Sequence, residues 1–361
     1  MRCPMSYDII HFEALGKEAN YLEIETNNLI KENILPKNFN SLITPLTVQE
    51  YLSENNIELP EIITTKTHSI LPEKYINSTH KNNIITRSAG YDHLEEYQDK
   101  LNIASLREYC VNAVAQTALK FGLCTCGLLN EYIKNTQSFE RNKTNSFIEI
   151  SKNRIVTVYG VGKIGSKVYQ YFKDIGFTVQ AVDIRSEELK SMEKYKDFNF
   201  VCKEDAILES DIIVNVMNLT KIKDSKFYNV NYFNEEYLRK NKKNFIFINV
   251  TRGEIAPENV LLKLYRENKI LGLGLDVFSH EAELTEDLRS QNTSNNIDVL
   301  AAKEIINNSI SLQENFYVQA HQGFNSDLAA KSKAHEAIEH LKYWYQNDKK
   351  GFKEQLPYYE G

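Results

Sequence analysis

The feature that most limits what this chain can fold into is the turn Gly160-Val161-Gly162-Lys163-Ile164-Gly165. It stands between an apolar run, 154–159 (RIVTVY), and a helical pattern expected to reach about Ile175. The three glycines do different things. The first makes the tight turn, the second lets a pyrophosphate approach the backbone, and the third lets helix and strand pack closely. The helix that follows turns N–H groups and the positive end of its dipole toward the phosphates. A second apolar run, 178–183, ends on Asp183, close to the ~20-residue interval at which an acidic residue meets the ribose. A carboxylate there accepts bonds from the two ribose hydroxyls and repels a 2′-phosphate, which predicts NAD rather than NADP. Arg185 pulls the other way, because it could attract that phosphate. A ligand-free glycine turn and a methyltransferase turn are the competing readings of the motif alone.

Further near-continuous apolar runs follow at 211–216 (DIIVNV), 245–250 (FIFINV) and 271–277 (LGLGLDV), as expected for strands of a parallel sheet covered on both faces. The first hundred residues repeat the alternation on a smaller scale. Strand-like runs lie at 7–12, 41–44, 61–64 and 83–86, with helical stretches at 18–31 and 48–55. A long helical pattern at 111–132 reads as the crossing into a second unit, and another, 325–346, reads as the return. The predicted class is therefore α/β, with two Rossmann-like, doubly wound parallel-sheet domains. The 361 residues suit two domains. The Asn-rich stretch 291–311 is expected to be a variable insertion.

A net charge of −6 argues against nucleic-acid or anionic-membrane partners. Five cysteines, Cys3, Cys110, Cys124, Cys126 and Cys202, match no disulfide or zinc spacing and are read as reduced thiols, with no metal site. Neither a secretory leader nor an apolar run of spanning length is evident, so a cytoplasmic location is expected.

Two polar groupings point to chemistry. Arg252 follows a buried strand, at the edge where open α/β sheets bind ligands, and a guanidinium there can hold a carboxylate and polarise an adjacent carbonyl. Asp276 ends the next strand, Glu281 follows in the loop, and His321 lies between a strand-like segment, 316–318, and the last helix. A histidine beside a carboxylate is a standard proton donor and acceptor, and reduction of a ketone needs one hydride and one proton.

Together these residues resemble the D-isomer-specific 2-hydroxyacid dehydrogenase family, in particular its D-lactate dehydrogenase branch. The resemblance spans nearly the whole chain. Gly160–Gly165 and Asp183 look like its cofactor fingerprint. Thr251-Arg252-Gly253 resembles the segment of its catalytic arginine, and Leu275-Asp276-Val277 with Glu281 that of a cofactor-side aspartate and the catalytic glutamate. His321 falls where the family carries its proton donor. Arg87-Ser88-Ala89-Gly90-Tyr91-Asp92 is similar to the loop that cradles the substrate carboxylate, and Tyr109 to a tyrosine that touches substrate. Asn218 replaces a usual proline, Ala320 another, and Gln116 a usual glutamate.

The resemblance implies a substrate domain over residues 1–110, completed by 324–361, a coenzyme domain over 111–323, a cleft between them, and a homodimer formed through the coenzyme domain. It implies Arg252, Glu281 and His321 as catalytic residues. Gly160, Gly162, Lys163, Ile164, Gly165, Asp183, Met217, Asn218, Val250, Thr251, Arg252 and Asp276 would bind NAD. Ala89, Gly90, Tyr109 and Arg252 would bind a small 2-oxo or 2-hydroxy acid of pyruvate size. Reductases of glyoxylate, hydroxypyruvate, longer oxo acids or phosphoglycerate are the alternatives within the family, and an NAD-responsive corepressor-like scaffold is the alternative outside catalysis. His335 and His340 are expected at the surface, Tyr343, Trp344 and Tyr345 in helix packing, Lys349 and Lys350 in solvent, and His93 in a structural role.

Overall fold

The computed structural model describes residues 6–290 and 294–359. Cys3 and the opening of the Asn-rich stretch, at 291–293, lie outside the described residues. The chain divides into two compact units, Met1–Cys110 with Asn325–Gly361, and Val111–Phe324.

The first unit is built on five parallel strands, β1 (Ile9–His11), β2 (Ser41–Ile43), β3 (Ile62–Thr65), β4 (Asn83–Thr86) and β5 (Asn102–Ser105), in the order β2-β1-β3-β4-β5. Successive strand residues point to opposite faces. Ile9, Ile62, Ile85 and Ala104 therefore meet Leu22, Ala334, Ile338 and Leu341 from helices Gly16–Lys31 and Ala329–Gln346. Ile10, Ile63, Ile84 and Ile103 meet Phe12, Val48 and Tyr75 on the other face. Both faces are buried, which is why these strands read as short continuous apolar runs. β5 was not among the expected strands, since Ile103 and Ala104 are its only apolar residues. Helix Val48–Glu54 starts where Thr47 and Glu50 form a reciprocal capping box. Trp344 is buried on the final helix, while His335 is exposed and pairs with Glu25 at 3.7 Å.

The second unit carries six parallel strands, β6 (Ile155–Tyr159), β7 (Thr178–Val182), β8 (Ile212–Asn215), β9 (Phe245–Asn249), β10 (Ile270–Leu275) and β11 (Phe316–Val318), in the order β11-β10-β9-β8-β6-β7. Helix Val111–Cys126 packs on helix Lys163–Asp174 and on β9 and β10. The helix expected to run to Tyr132 is broken at Leu128, whose φ of 47° is left-handed, and restarts as Leu129–Asn135. Much of the Asn-rich stretch, expected to be a variable insertion, is helical. Residues Ile297–Ile310 form a helix that buries Val299, Ala301, Ala302 and Ile305 in the core. Those four recur at helical spacing among the asparagines, and that periodicity outweighs the polar composition. Among the described residues Cys110, Cys124, Cys126 and Cys202 are free thiols, and burial pushes Cys110 and Cys126 up to about 12. No described helix is long and apolar enough to cross a membrane.

Candidate active site

In the second unit the strand order changes direction beside β6, and in open α/β sheets the crevice outside such a switch point binds ligands. The glycine turn leaves β6 there. Gly160 has φ +83°, and a side chain on it would start 2.8 Å from the Met217 Cα. A Cβ on Gly165 would lie 1.8 Å from the Gly160 carbonyl oxygen. Around Gly162, by contrast, no neighbouring atom lies within 4 Å of where a Cβ would stand. Gly162 is also the N-cap of helix Lys163–Asp174 and has no side chain to cap it. A cradle closed at its two ends and open at its middle glycine fits a pyrophosphate.

Asp183, just past β7, stands over this turn. Its Oδ2 accepts from the Val161 N–H at 2.9 Å, and its Oδ1 accepts from the Arg185 N–H at 2.9 Å and faces Arg185 Nε at 3.5 Å. Arg185, the residue that could favour a 2′-phosphate, is thus held by the carboxylate that disfavours one. Met217 and Asn218 follow β8, and Met217 lies against Gly160. The Met217 N–H donates to Asn215 Oδ1 at 3.2 Å, and the Asn218 carbonyl accepts from Asn229 at 2.7 Å.

Two asparagines tie the carboxyl ends of β8 and β9 together. Asn215 Nδ2 donates to Asn249 Oδ1 at 2.9 Å and to Thr251 Oγ1 at 3.1 Å. Asn249 Nδ2 donates to the Arg252 carbonyl at 2.9 Å, so the turn Val250–Arg252 is shaped from beneath. Sequence reasoning passed over Asn215, Asn249 and Glu258. A polar residue at the end of an otherwise apolar strand, as in IIVN and FIFIN, was the available signal for the first two. Glu258 is buried on the helix after Arg252. Its carboxylate accepts from the Ser279 N–H at 2.7 Å and from the Ser279 hydroxyl, which anchors the loop two residues before Glu281.

Arg252, Glu281 and His321, far apart in sequence, are brought together. His321 Nδ1 lies 3.0 Å from Glu281 Oε2, and His321 Nε2 lies 3.5 Å from Arg252 Nη1. Burial acts to raise the Glu281 carboxyl, but the bond and charge of His321, the Phe278 N–H and the Arg252 charge outweigh it and hold the group below the usual range. His321 itself has φ 52°, a strained setting for a non-glycine residue. Asp276 secures it. This buried carboxylate, expected to face the cofactor, accepts from the Gln322 N–H at 2.8 Å, the Gly323 N–H at 2.9 Å and Gln319 Nε2 at 2.7 Å. The His321 N–H also donates to the Asp276 carbonyl at 2.7 Å. Glu281 fixes one imidazole nitrogen, Asp276 fixes the backbone, and Nε2 is left beside a guanidinium.

Ala89, Gly90 and Tyr109 belong to the first unit, at the carboxyl edge of its sheet. Ser88 Oγ donates to the Gly90 carbonyl at 2.6 Å, and the Leu106 N–H donates to the Ser88 carbonyl at 3.0 Å, so the segments after β4 and β5 run side by side. The Tyr109 N–H donates to Glu336 Oε2 at 2.8 Å, and burial raises its phenol far above the usual range. Among the described residues no cluster of His, Cys, Asp and Glu is suited to a metal ion.

A doubly wound sheet, a pyrophosphate cradle with an acid at the next strand end, and an Arg–His–Glu cluster beside it define the class of NAD-dependent oxidoreductases. Residues 123–323 match the sequence profile of the D-isomer specific 2-hydroxyacid dehydrogenase NAD binding domain, and the chain belongs to that family. Among its relatives is a glyoxylate reductase of Pyrococcus horikoshii, 25% identical over 250 residues, 66% of this chain and 72% of that protein. A D-lactate dehydrogenase of Lactiplantibacillus plantarum is 23% identical over 320 residues, 84% of this chain and 89% of that protein. The solved D-lactate dehydrogenase of Aquifex aeolicus, complexed with NAD and lactic acid, superposes with a TM-score of 0.76 at 20% identity, covering 98% of this chain and 100% of that one, and shares the fold.

Proposed function

We propose that the chain reduces a small 2-oxo acid, pyruvate being the model substrate, to the D-2-hydroxy acid. The observation that carries this reading is the Arg252–His321–Glu281 cluster at the strand ends beside the cofactor cradle. Gly160, Gly162, Lys163, Ile164, Gly165 and Asp183 would hold NAD, with Met217, Asn218, Val250 and Thr251 along its length. When bound, its reduced nicotinamide supplies the hydride that reaches C2 of the oxo acid.

The chain's own residues do the rest. Arg252 binds the substrate carboxylate, assisted by the Ala89 and Gly90 N–H groups, and draws electron density toward the ketone oxygen. Preorganised charge of this kind is often the largest catalytic contribution. His321 gives its proton to that oxygen as it gains charge. Glu281 keeps the ring oriented for the transfer. The D configuration, a cytoplasmic location and a homodimer through the coenzyme unit are part of the same proposal, by resemblance to the family.

The test is NADH oxidation with pyruvate, glyoxylate, hydroxypyruvate and 2-oxoisocaproate. Turnover of at least one, with kcat/KM lowered by about 10²–10³ in Arg252→Ala, is expected. Absence of turnover with all four, or an Arg252→Ala variant as fast as the native chain, defeats the reading.

A further inference from the structure

Behind the Arg252–His321–Glu281 cluster the chain closes a ring of contacts, all of it within Val111–Phe324. The turn after β9 and the loop after β10 touch at one point. A Cβ on Gly253, next to Arg252, would lie 1.9 Å from the Ser279 nitrogen and 2.0 Å from the Phe278 carbonyl carbon. Glu258 opens the helix Glu258–Arg266 that follows, and it is 1% exposed. Both of its oxygens reach across to Ser279: Oε1 accepts from the N–H at 2.7 Å, and Oε2 accepts from the hydroxyl. From there the loop leads to the histidine. The Phe278 N–H donates to Glu281 Oε1 at 3.3 Å, and Glu281 Oε2 lies 3.0 Å from His321 Nδ1. His321 Nε2, 3.5 Å from Arg252 Nη1, completes the ring. Between Ser279 and Glu281 stands His280 with a left-handed φ of 53°, a setting that a non-glycine residue keeps only where its surroundings hold it. Burial, first, raises the Glu258 carboxyl to about 7; the two Ser279 bonds and its own N–H oppose the rise, and the Asp298 charge adds to it. Such a group bonds Ser279 in either ionisation state, since the protonated acid can accept and donate.

We infer that Glu258 is a positioning residue for the proton transfer: by holding Ser279 it fixes the loop that aims Glu281 at the His321 ring. Without its acceptors, two buried donors of Ser279 are left unsatisfied, and the loop relieves them by moving off Gly253. The Phe278 N–H moves with it, and Glu281 loses a bond that orients it. Misplacement of a reacting group by about 1 Å can cost about 10²-fold in the chemical step. The glycine turn that would seat the cofactor leaves a different strand, β6, and does not take part in this ring. The inference rests on the 2-oxo-acid reading above and deepens it, by extending the proton-donating side of the site to a buried carboxyl behind it.

The experiment measures kcat and KM for the fastest of the four oxo acids above, and NADH affinity by fluorescence, in the native chain, Glu258→Leu, Glu258→Gln and Ser279→Ala. Glu258→Leu and Ser279→Ala are also combined with Glu281→Gln. Glu258→Leu is expected to lower kcat by about 10-fold or more, the scale of buried donors left unsatisfied, with KM and NADH affinity within about 3-fold of native. Glu258→Gln should keep kcat within about 3-fold, because its amide can still accept from the Ser279 N–H and donate to the hydroxyl. Beside Glu281→Gln, the leucine should cost less than about 2-fold more, since residues that act as one unit are not additive. A side chain that only packs helix against sheet would cost the same in both backgrounds, and that result overturns the inference. So does a Glu258→Leu chain as fast as the native one. Should Glu258→Leu fail to fold, Ser279→Ala decides. It removes the hydroxyl alone, and is expected to lower kcat by about 3-fold in the native background and not beside Glu281→Gln; equal effects in the two, or none, overturn the inference. Each of these failures leaves the 2-oxo-acid reading standing. No turnover of any of the four acids by the native chain, with NADH bound, overturns both.

Discussion

At the residue scale the cluster divides its labour in a way that kinetics can separate. Glu281 is held ionised and bonded to the His321 ring, so it fixes the orientation of the imidazole. Glu281→Gln keeps the shape and removes the charge. The rate of reduction should drop by about 10²-fold, because the ring has lost the group that orients it. Steady-state kinetics with the substrate panel check this. Buried His11 reports on stability instead. Its ring accepts or donates at Thr64 Oγ1 over 3.0 Å, and burial, then the charge of Arg87, depresses its ionisation to about 3. A depressed histidine stays neutral when folded but takes up a proton when unfolded, so its contribution is fully present above about pH 6.5 and is lost as pH falls toward 3. The expected slope is about 1.4 kcal/mol per pH unit in that window. Denaturant melts of the native chain and His11→Asn between pH 7 and 4 should diverge by that slope, with the native chain losing stability faster. The Arg252, Glu281 and His321 trio was legible in the sequence as residue types following strands. Its geometry was not, because the helix Ile297–Ile310 lies between Glu281 and His321 and no spacing rule bridges it. Glu258 was illegible for another reason: its partner, Ser279, lies in a loop of no regular period.

At the scale of elements, the glycine turn makes opposite demands at its last and middle glycines. Gly165→Ala drives a methyl into the Gly160 carbonyl, and should both destabilise the unit by about 1–3 kcal/mol and weaken NADH binding. Gly162→Ala has open space and a φ of −64°, so its melting temperature should match the native chain. Its NADH affinity should nevertheless fall by about 10-fold, because the methyl stands where the pyrophosphate approaches. Paired thermal melts and NADH titrations tell these apart, and equal damage from both substitutions would show that the open middle of the turn is not a phosphate seat. The strands of this unit were readable because each is buried on both faces. In the other unit three- and four-residue strands left β5 unmarked. The Asn-rich helix was hidden by composition, since only its period betrays that one side faces the core.

At the scale of the whole molecule the coenzyme cradle lies wholly within Val111–Phe324. NADH at 100 times its Kd stabilises what it binds by about 2.7 kcal/mol. Hydrogen exchange with NADH alone should therefore slow in the peptides of β6, β7 and β8, while those of β1 and β3 keep their native rates. Protection that rises first in β1 and β3 would assign the cofactor to the other unit. The division into two α/β layers was legible because both halves alternate strand and helix. The discontinuity of the first unit was legible only through the long helical patterns at 111–132 and 325–346.

That discontinuity has a consequence for how the protein is made. The face of the first sheet that carries Ile9, Ile62, Ile85 and Ala104 is closed by Ala334, Ile338 and Leu341 of the final helix. On the ribosome those strands emerge first, and the whole coenzyme unit is synthesised before the closing helix. At ~5–20 residues per second, that interval is roughly 10–40 seconds. The coenzyme unit, continuous in the chain, can be complete while its neighbour still shows an uncovered apolar sheet. In the cell, the discontinuous unit is therefore the one that waits longest with apolar surface uncovered.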